Sequence, residues 1–253
     1  MIHVAAKVAL APLLYRQARH VRRTVVALPE PQGARRGIEG SGARPLRLLV
    51  AGDSSAAGVG TRSQDEALAR PLARALAARL ARPVAWQLVA RTGSTSAATL
   101  ELLRSEPSEA ADIALVVVGV NDITHEVPLP LALRQRLHIA HWLQAHRGVR
   151  HVVFPALADM GRFPAVPQPL RWYAGLHANR NNRAQARWAV QHAGVSHAAM
   201  EGVTDERLFS EDGFHPGPRL YAAVVERLAA HIEGIVRRDG SCSTDIKHFR
   251  EHS

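Results

Sequence analysis

Five short apolar runs, each followed by a stretch with helical spacing, constrain the fold of this chain more than any other feature. They fall at Leu46–Ala51, Val84–Ala90, Ile113–Val118, Val149–Phe154 and Val195–Ala199. Runs rich in Val, Leu, Ile and Ala without strict polar alternation fit strands buried on both faces, and their alternation with helices is βαβ order. The expected fold class is α/β: a three-layer α/β/α sandwich with a mainly parallel, five-stranded sheet. A chain of 253 residues is long enough to bury one such sheet and needs no second domain. Ser63 and Glu66 form a capping-box pattern ahead of Ala67, Leu68, Leu72, Leu76 and Leu80, a helix that Pro71 should kink or restart. Further helices are expected over Leu131–Ala145, over Tyr173–His192 and from Gly217-Pro218 onward, the last burying Leu220, Val224, Leu228 and Ile232.

Residues 1–28 read as an amphipathic helix, with Val4, Val8, Ala11, Tyr15 and Ala18 at helical spacing and a kink at Pro12. The apolar run "VALAPLLY" is too short to span a bilayer, which takes roughly 20 residues. The helix is expected to dock on its own domain, with peripheral membrane contact as the alternative. Residues 29–45, rich in Gly, Pro and Arg, read as a linker, 46–236 as the folded domain, and 237–253 as a mobile polar tail. The formal charge of +10 comes from 32 Lys and Arg against 22 Asp and Glu. The densest basic run, "RQARHVRR", has no aromatic residues for base stacking, so a solvated surface is expected and no nucleic-acid partner. The single cysteine, Cys242, excludes an internal disulfide and a cysteine-built zinc site. The expected location is cytoplasmic or at a membrane periphery, with secretion and oligomeric state left open.

The polar residues that end the strands carry the chemistry. Gly52-Asp53-Ser54 follows the first run, Arg91-Thr92-Gly93 the second and Gly119-Val120-Asn121-Asp122 the third. In a parallel sheet the carboxyl ends of the strands share one rim, where ligands bind. "EDGFHPG", Glu211–Gly217, adds Asp212 and His215 three residues apart. A serine hydroxyl is a weak nucleophile until a histidine, oriented by a carboxylate, takes its proton. Ser54, His215 and Asp212 supply these three roles. The backbone N–H groups of Ser54 and Gly93 and the side-chain amide of Asn121 are candidate donors to an oxyanion. Asp53 and Asp122 read as structural or pocket-lining, and Phe214 and the "PALADMGRFPAVPQPLRW" loop, with Phe163 and Trp172, as pocket walls. Ser55 is a rival nucleophile, but only Ser54 keeps the Gly-Asp-Ser spacing. His138, His141 and His146 read as solvated, and His125 as a rim or capping residue. The helix of His138, His141 and His146 has no carboxylate or cysteine at ligand spacing and the chain has no His-Glu-x-x-His run, so neither metal nor cofactor is expected.

Together, "GDSSAAG", Gly93 in "RTGS", "GVND" and "DGFH" resemble the four blocks of the SGNH (GDSL-type) hydrolases, from about Leu46 to Glu233. Ser55 stands where the GDSL pattern has leucine. The resemblance implies a flavodoxin-like sheet and a serine esterase acting on a small-molecule acyl ester through an acyl-enzyme. A saccharide deacetylase, an acyltransferase, a lysophospholipase-like lipid esterase and a non-catalytic basic module are the alternatives. An α/β-hydrolase would need a Gly-x-Ser-x-Gly elbow, and Gly52-Asp53-Ser54-Ser55-Ala56 lacks its final glycine.

Overall fold

The computed structural model describes the backbone of residues 2–200 and 205–250 and the side chains of residues 10–200 and 205–239. Val4, Val8 and Cys242 therefore lie outside the described side chains. Six strands form one sheet in the order β1-β3-β2-β4-β5-β6, comprising β1 (Arg36–Glu39), β2 (Leu46–Gly52), β3 (Val84–Ala90), β4 (Ile113–Val117), β5 (His151–Pro155) and β6 (Val195–Ala198). All neighbours are parallel except β1 and β3. The five expected strands are present, and the sixth comes from within the segment read as a linker. Arg36-Gly37-Ile38-Glu39 has no apolar alternation; it is a strand because β3 offers it a free edge, and its charged ends blunt the new edge.

The pleat of β2 divides the core. Leu46, Leu48 and Val50 point to one face and Leu49 and Ala51 to the other. The first face is covered by α3 (Ala69–Leu80) and α8 (Pro218–Arg250), through Leu72, Leu76, Leu228 and Ile232. The second is covered by α4 (Ser96–Ser105), α6 (Leu129–Arg147) and α7 (Leu170–Ala189), through Leu103, Ile139, Leu143 and Ala189. The Ser63/Glu66 capping box does not cap α3. That helix starts at Ala69 after Leu68, which makes no side-chain cap bond, and Pro71 sits in its first turn, where a missing N–H leaves nothing unpaired. The preceding residues are instead held as a loop by Gln64, which is buried and donates to the carbonyl of Ala57 at 2.9 Å.

The N-terminal helix α1 (Ile2–Thr24) packs on α7. It buries Leu14, whereas Tyr15, expected on the apolar stripe, is 66% exposed. Gln17 accepts from the N–H of Leu170 and donates to the carbonyl of Gln168, and Arg22 donates to the carbonyl of Thr124. At the other end of the chain, where the sequence reading placed a mobile polar tail over 237–253, the backbone of α8 stays helical to Arg250 with no proline after 218 to stop it.

Leu228 is fully buried between α8 and the sheet, so Leu228→Ala should destabilise the fold by about 2–5 kcal/mol in urea titration. Ile38→Ala, on the exposed face of β1, should stay within about 0.5 kcal/mol of wild type.

Candidate active site

Strand β2 ends on a glycine because nothing larger fits. Gly52 has φ +143°, and a Cβ there would lie 2.0 Å from the carbonyl oxygen of Val117 on β4. The chain then turns: the N–H of Asp53 donates to that same carbonyl at 3.0 Å, and the Asp53 carboxylate accepts from the N–H of Ser55 at 3.0 Å, capping the short helix α2 (Ser54–Ala57). This places Ser54 at the start of a helix, over the rim of the sheet.

His215 reaches Ser54 from the turn before α8. Asp212 organises that turn, with Oδ1 accepting from the N–H groups of Phe214 and His215, both at 2.9 Å, and from the hydroxyl of Ser210 at 2.7 Å. Its Oδ2 lies 2.5 Å from His215 Nδ1, and His215 Nε2 lies 2.8 Å from Ser54 Oγ. Burial alone would raise the Asp212 pKa. The hydrogen bonds from His215, Ser210 and Phe214 outweigh it and hold the carboxyl at about 2, so it is ionised wherever the protein is folded near neutrality. An imidazole held between a carboxylate and a hydroxyl can take the hydroxyl proton while the charge it gains is stabilised.

Two contacts seat the His215 turn against the serine turn. Gly60, with φ +99°, passes under Pro216, where a Cβ would come within 2.2 Å of the Pro216 carbonyl oxygen. Tyr221, on the first turns of α8, donates its hydroxyl to the carbonyl of Val59 at 2.9 Å. Neither Ser210 nor Tyr221 was singled out in the sequence. Ser210 stands two residues before Asp212, and that spacing is the one local signal that could have found it.

The three oxyanion candidates are not equally placed. Ser54 and Asn121 line the same small cavity, in which the Asn121 amide donates to the carbonyl of Ser94 at 3.2 Å and lies 3.5 Å from Asp53. Gly93 does not line it; it sits exposed with φ +82°, one residue before Ser94. Asn121 belongs to α5 (Val120–Thr124), and that helix is anchored by its neighbour. Asp122 is buried, accepts from the N–H and hydroxyl of Ser96 at 2.8 and 2.6 Å, and pairs with the fully buried Arg136 at 3.2 Å. It is thus no pocket residue, because its carboxylate is spent on tying α4, α5 and α6 together.

Asp53, Phe163 and Phe214 do line the cavity, joined by Phe209, which the sequence reading missed. Phe163 packs edge-on against Phe209 and Phe214, with ring centroids 5.3 and 4.8 Å away. Trp172 does not line the cavity; it is 43% exposed on α7, because the proline-rich loop turns its own Phe163 inward and releases Trp172 outward. His125 bonds to the carbonyl of Asn121 at 2.8 Å, at the end of α5. Ser55 lines the cavity too, but the His215 imidazole is bonded to Ser54. Among the described residues, no group of three or more His, Cys, Asp or Glu side chains is placed to hold a metal ion.

The GDSL-like lipase/acylhydrolase family profile matches residues 50–223, most of the chain. The chain belongs to that family. It is 27% identical over 270 residues to a GDSL-like esterase of Mycobacterium tuberculosis, an alignment covering 94% of this chain and 85% of the relative. Among solved structures, the lipase Lip_vut3 from a goat rumen metagenome has a TM-score of 0.57 at 19% identity, covering 73% of this chain and 96% of that one. A lipase/acylhydrolase from Enterococcus faecalis has a TM-score of 0.51 at 20% identity, covering 75% and 96%. These neighbours share the mostly parallel sheet flanked by helices. The protein is accordingly a GDSL-type hydrolase of the esterase and lipase kind.

The buried Asp53 supplies a pH test of this site. Burial raises its pKa from 3.8 to about 7, against the opposing effects of the Ser55 N–H and the neighbouring His215. The folded state then binds a proton that the unfolded state has lost, and stability declines as pH rises from about 4 to about 7. Asn at 53 keeps the cap acceptor and cannot ionise. Asp53→Asn should therefore gain melting temperature relative to wild type as pH rises from 5 to 8. Parallel pH profiles for the two proteins would contradict the assignment.

Proposed function

We propose that the protein is a serine esterase that hydrolyses short-chain carboxylic esters without a metal. The observation that carries this reading is the unbroken line of hydrogen bonds from Asp212 through His215 to Ser54, opening on a cavity walled by phenylalanines. Ser54 Oγ attacks the ester carbonyl carbon as His215 Nε2 takes its proton, and the carbonyl oxygen becomes the oxyanion of a tetrahedral intermediate. The Ser54 N–H and the Asn121 amide are the donors closest to hand for that oxyanion. Collapse expels the alcohol, which leaves with the proton from His215, and the acyl group stays on Ser54. Water, deprotonated by His215, attacks the acyl-enzyme; a second collapse returns the proton to Ser54 and frees the acid. Asp212 remains ionised throughout and stabilises the imidazolium.

The wall supports a short acyl chain. Phe163 packs edge-on against both Phe209 and Phe214, so the wall of the cavity is filled by aromatic rings, which suits a small acyl group better than an extended tail. That apolar end suits an acetyl or similar group in preference to a charged one.

Rates on a series of p-nitrophenyl esters should be highest for short acyl groups and unaffected by chelators. Ser54→Ala should abolish turnover with the fold intact. Asn121→Ala should lower kcat on the order of 10²–10³-fold with a much smaller change in KM, since the charge it meets develops in the transition state. Full activity in Ser54→Ala, or a change in KM alone in Asn121→Ala, would contradict the scheme.

A further inference from the structure

Helices α1 and α7 carry basic residues and no carboxylate. Residues 1–29 and 127–200, which hold α1, α6 and α7, contain 14 of the 32 Lys and Arg but only one of the 22 Asp and Glu, Asp159; of these, Arg136 is buried against Asp122, and Arg150 and Arg162 pair with Asp112 and Asp159. The remaining 18 basic residues face 21 acidic ones. The arginines that look scattered along the sequence are brought together because α1 and α6 both pack against α7. Elsewhere arginines are matched: Arg79 pairs with Glu226 and Glu233, Arg70 with Glu39, and Arg104 on α4 with Glu101.

Apolar groups share the basic side. Of the six exposed large hydrophobic residues among the described residues, four are Leu13 and Tyr15 on α1, Trp172 on the first turn of α7, and Val190 at its cap. On α7, Trp172, Arg183, Arg187 and Val190 recur at helical spacing and are exposed, with Arg180 beside them. This stripe runs the length of a 20-residue helix, about 30 Å. Guanidinium groups without acidic neighbours in sequence, bracketed by Trp and aliphatic side chains, match the boundary of a bilayer: arginines meet lipid phosphates while Trp and Tyr settle at headgroup depth.

We propose that the face formed by α1 and α7 docks on a lipid bilayer bearing anionic headgroups. A nucleic acid would engage the arginines but leave Leu13 and Val190 in water, which disfavours it as the occupant. The docked face is tied to the active site through α1. Gln17 bonds to the end of the loop that carries Phe163, and Arg22 bonds to Thr124 at the end of the Asn121 helix. The surface is independent of the Ser54 chemistry, and the two fail separately.

Flotation of the full chain with phosphatidylcholine vesicles, with and without phosphatidylglycerol, tests the proposal. The protein should float with the phosphatidylglycerol vesicles alone, and less so as salt is raised. Arg180→Gln/Arg183→Gln/Arg187→Gln should lower the partition coefficient about tenfold or more while hydrolysis of a soluble ester is unchanged. Should that triple variant fail to fold by circular dichroism, Arg16→Gln/Arg23→Gln on α1 should weaken binding in the same direction. Equal binding to both vesicles, binding to neither, or wild-type binding by a folded variant would overturn it. So would binding of duplex DNA in place of vesicles.

Discussion

The site depends on the close fit of two turns that are remote in sequence. The imidazole of His215 and the hydroxyl of Ser54 lie 161 residues apart in the chain and 2.8 Å apart in space. No local preference brings them together. What does so is a parallel sheet that ends β2 at the rim, a glycine at 60 that admits the Pro216 carbonyl, and a tyrosine at 221 that locks α8 to the Val59 carbonyl. The two hydrogen bonds of the relay are the readout of that backbone fit. A fraction of an ångström lost between the turns lengthens the His215–Ser54 hydrogen bond on which the proposed mechanism depends.

A second, buried connection holds the other wall. Arg136 is fully enclosed, and it pairs with Asp122 while donating to Asn181 at 2.8 Å and Gln185 at 2.5 Å. A buried ion pair is seldom worth more than the apolar packing it displaces, but removing one partner leaves an uncompensated charge. Here the pair fixes the position of the Asn121 helix relative to Ser96 and to α7, so the amide that faces the cavity is carried on a rigid element. The same α7 presents its outer side to solvent as a row of arginines. One helix thus braces the Asn121 wall of the cavity from within and forms the proposed docking stripe without.

The elements buried on both faces were legible in the sequence because burial leaves a run of apolar residues that solvent exposure would interrupt. The blocks that hold Ser54, Asn121, Asp212 and His215 were legible because the proposed chemistry requires particular residue types. Arg36–Glu39 was not, since an edge strand is made by its partner. Asp122 was misread for a related reason: a carboxylate next to the cavity residue Asn121 is indistinguishable in sequence from one facing the cavity until Arg136, 14 residues on, is seen to point inward. Trp172 and Phe163 lie on one loop-to-helix segment, and only the packing of Phe163 with Phe209 and Phe214 decides which ring turns in. The grouping of the arginines is likewise a property of how helices pack, which a linear charge count averages away.

The central claim is that Ser54 becomes acylated. Mass spectrometry of the protein quenched in acid during turnover of p-nitrophenyl acetate measures this directly, after proteolysis and fragmentation of the peptide that holds Ser54 and Ser55. The account predicts a single acetyl group on Ser54, absent in Ser54→Ala. Acetylation of Ser55, or sustained turnover with no acylated serine, would contradict it.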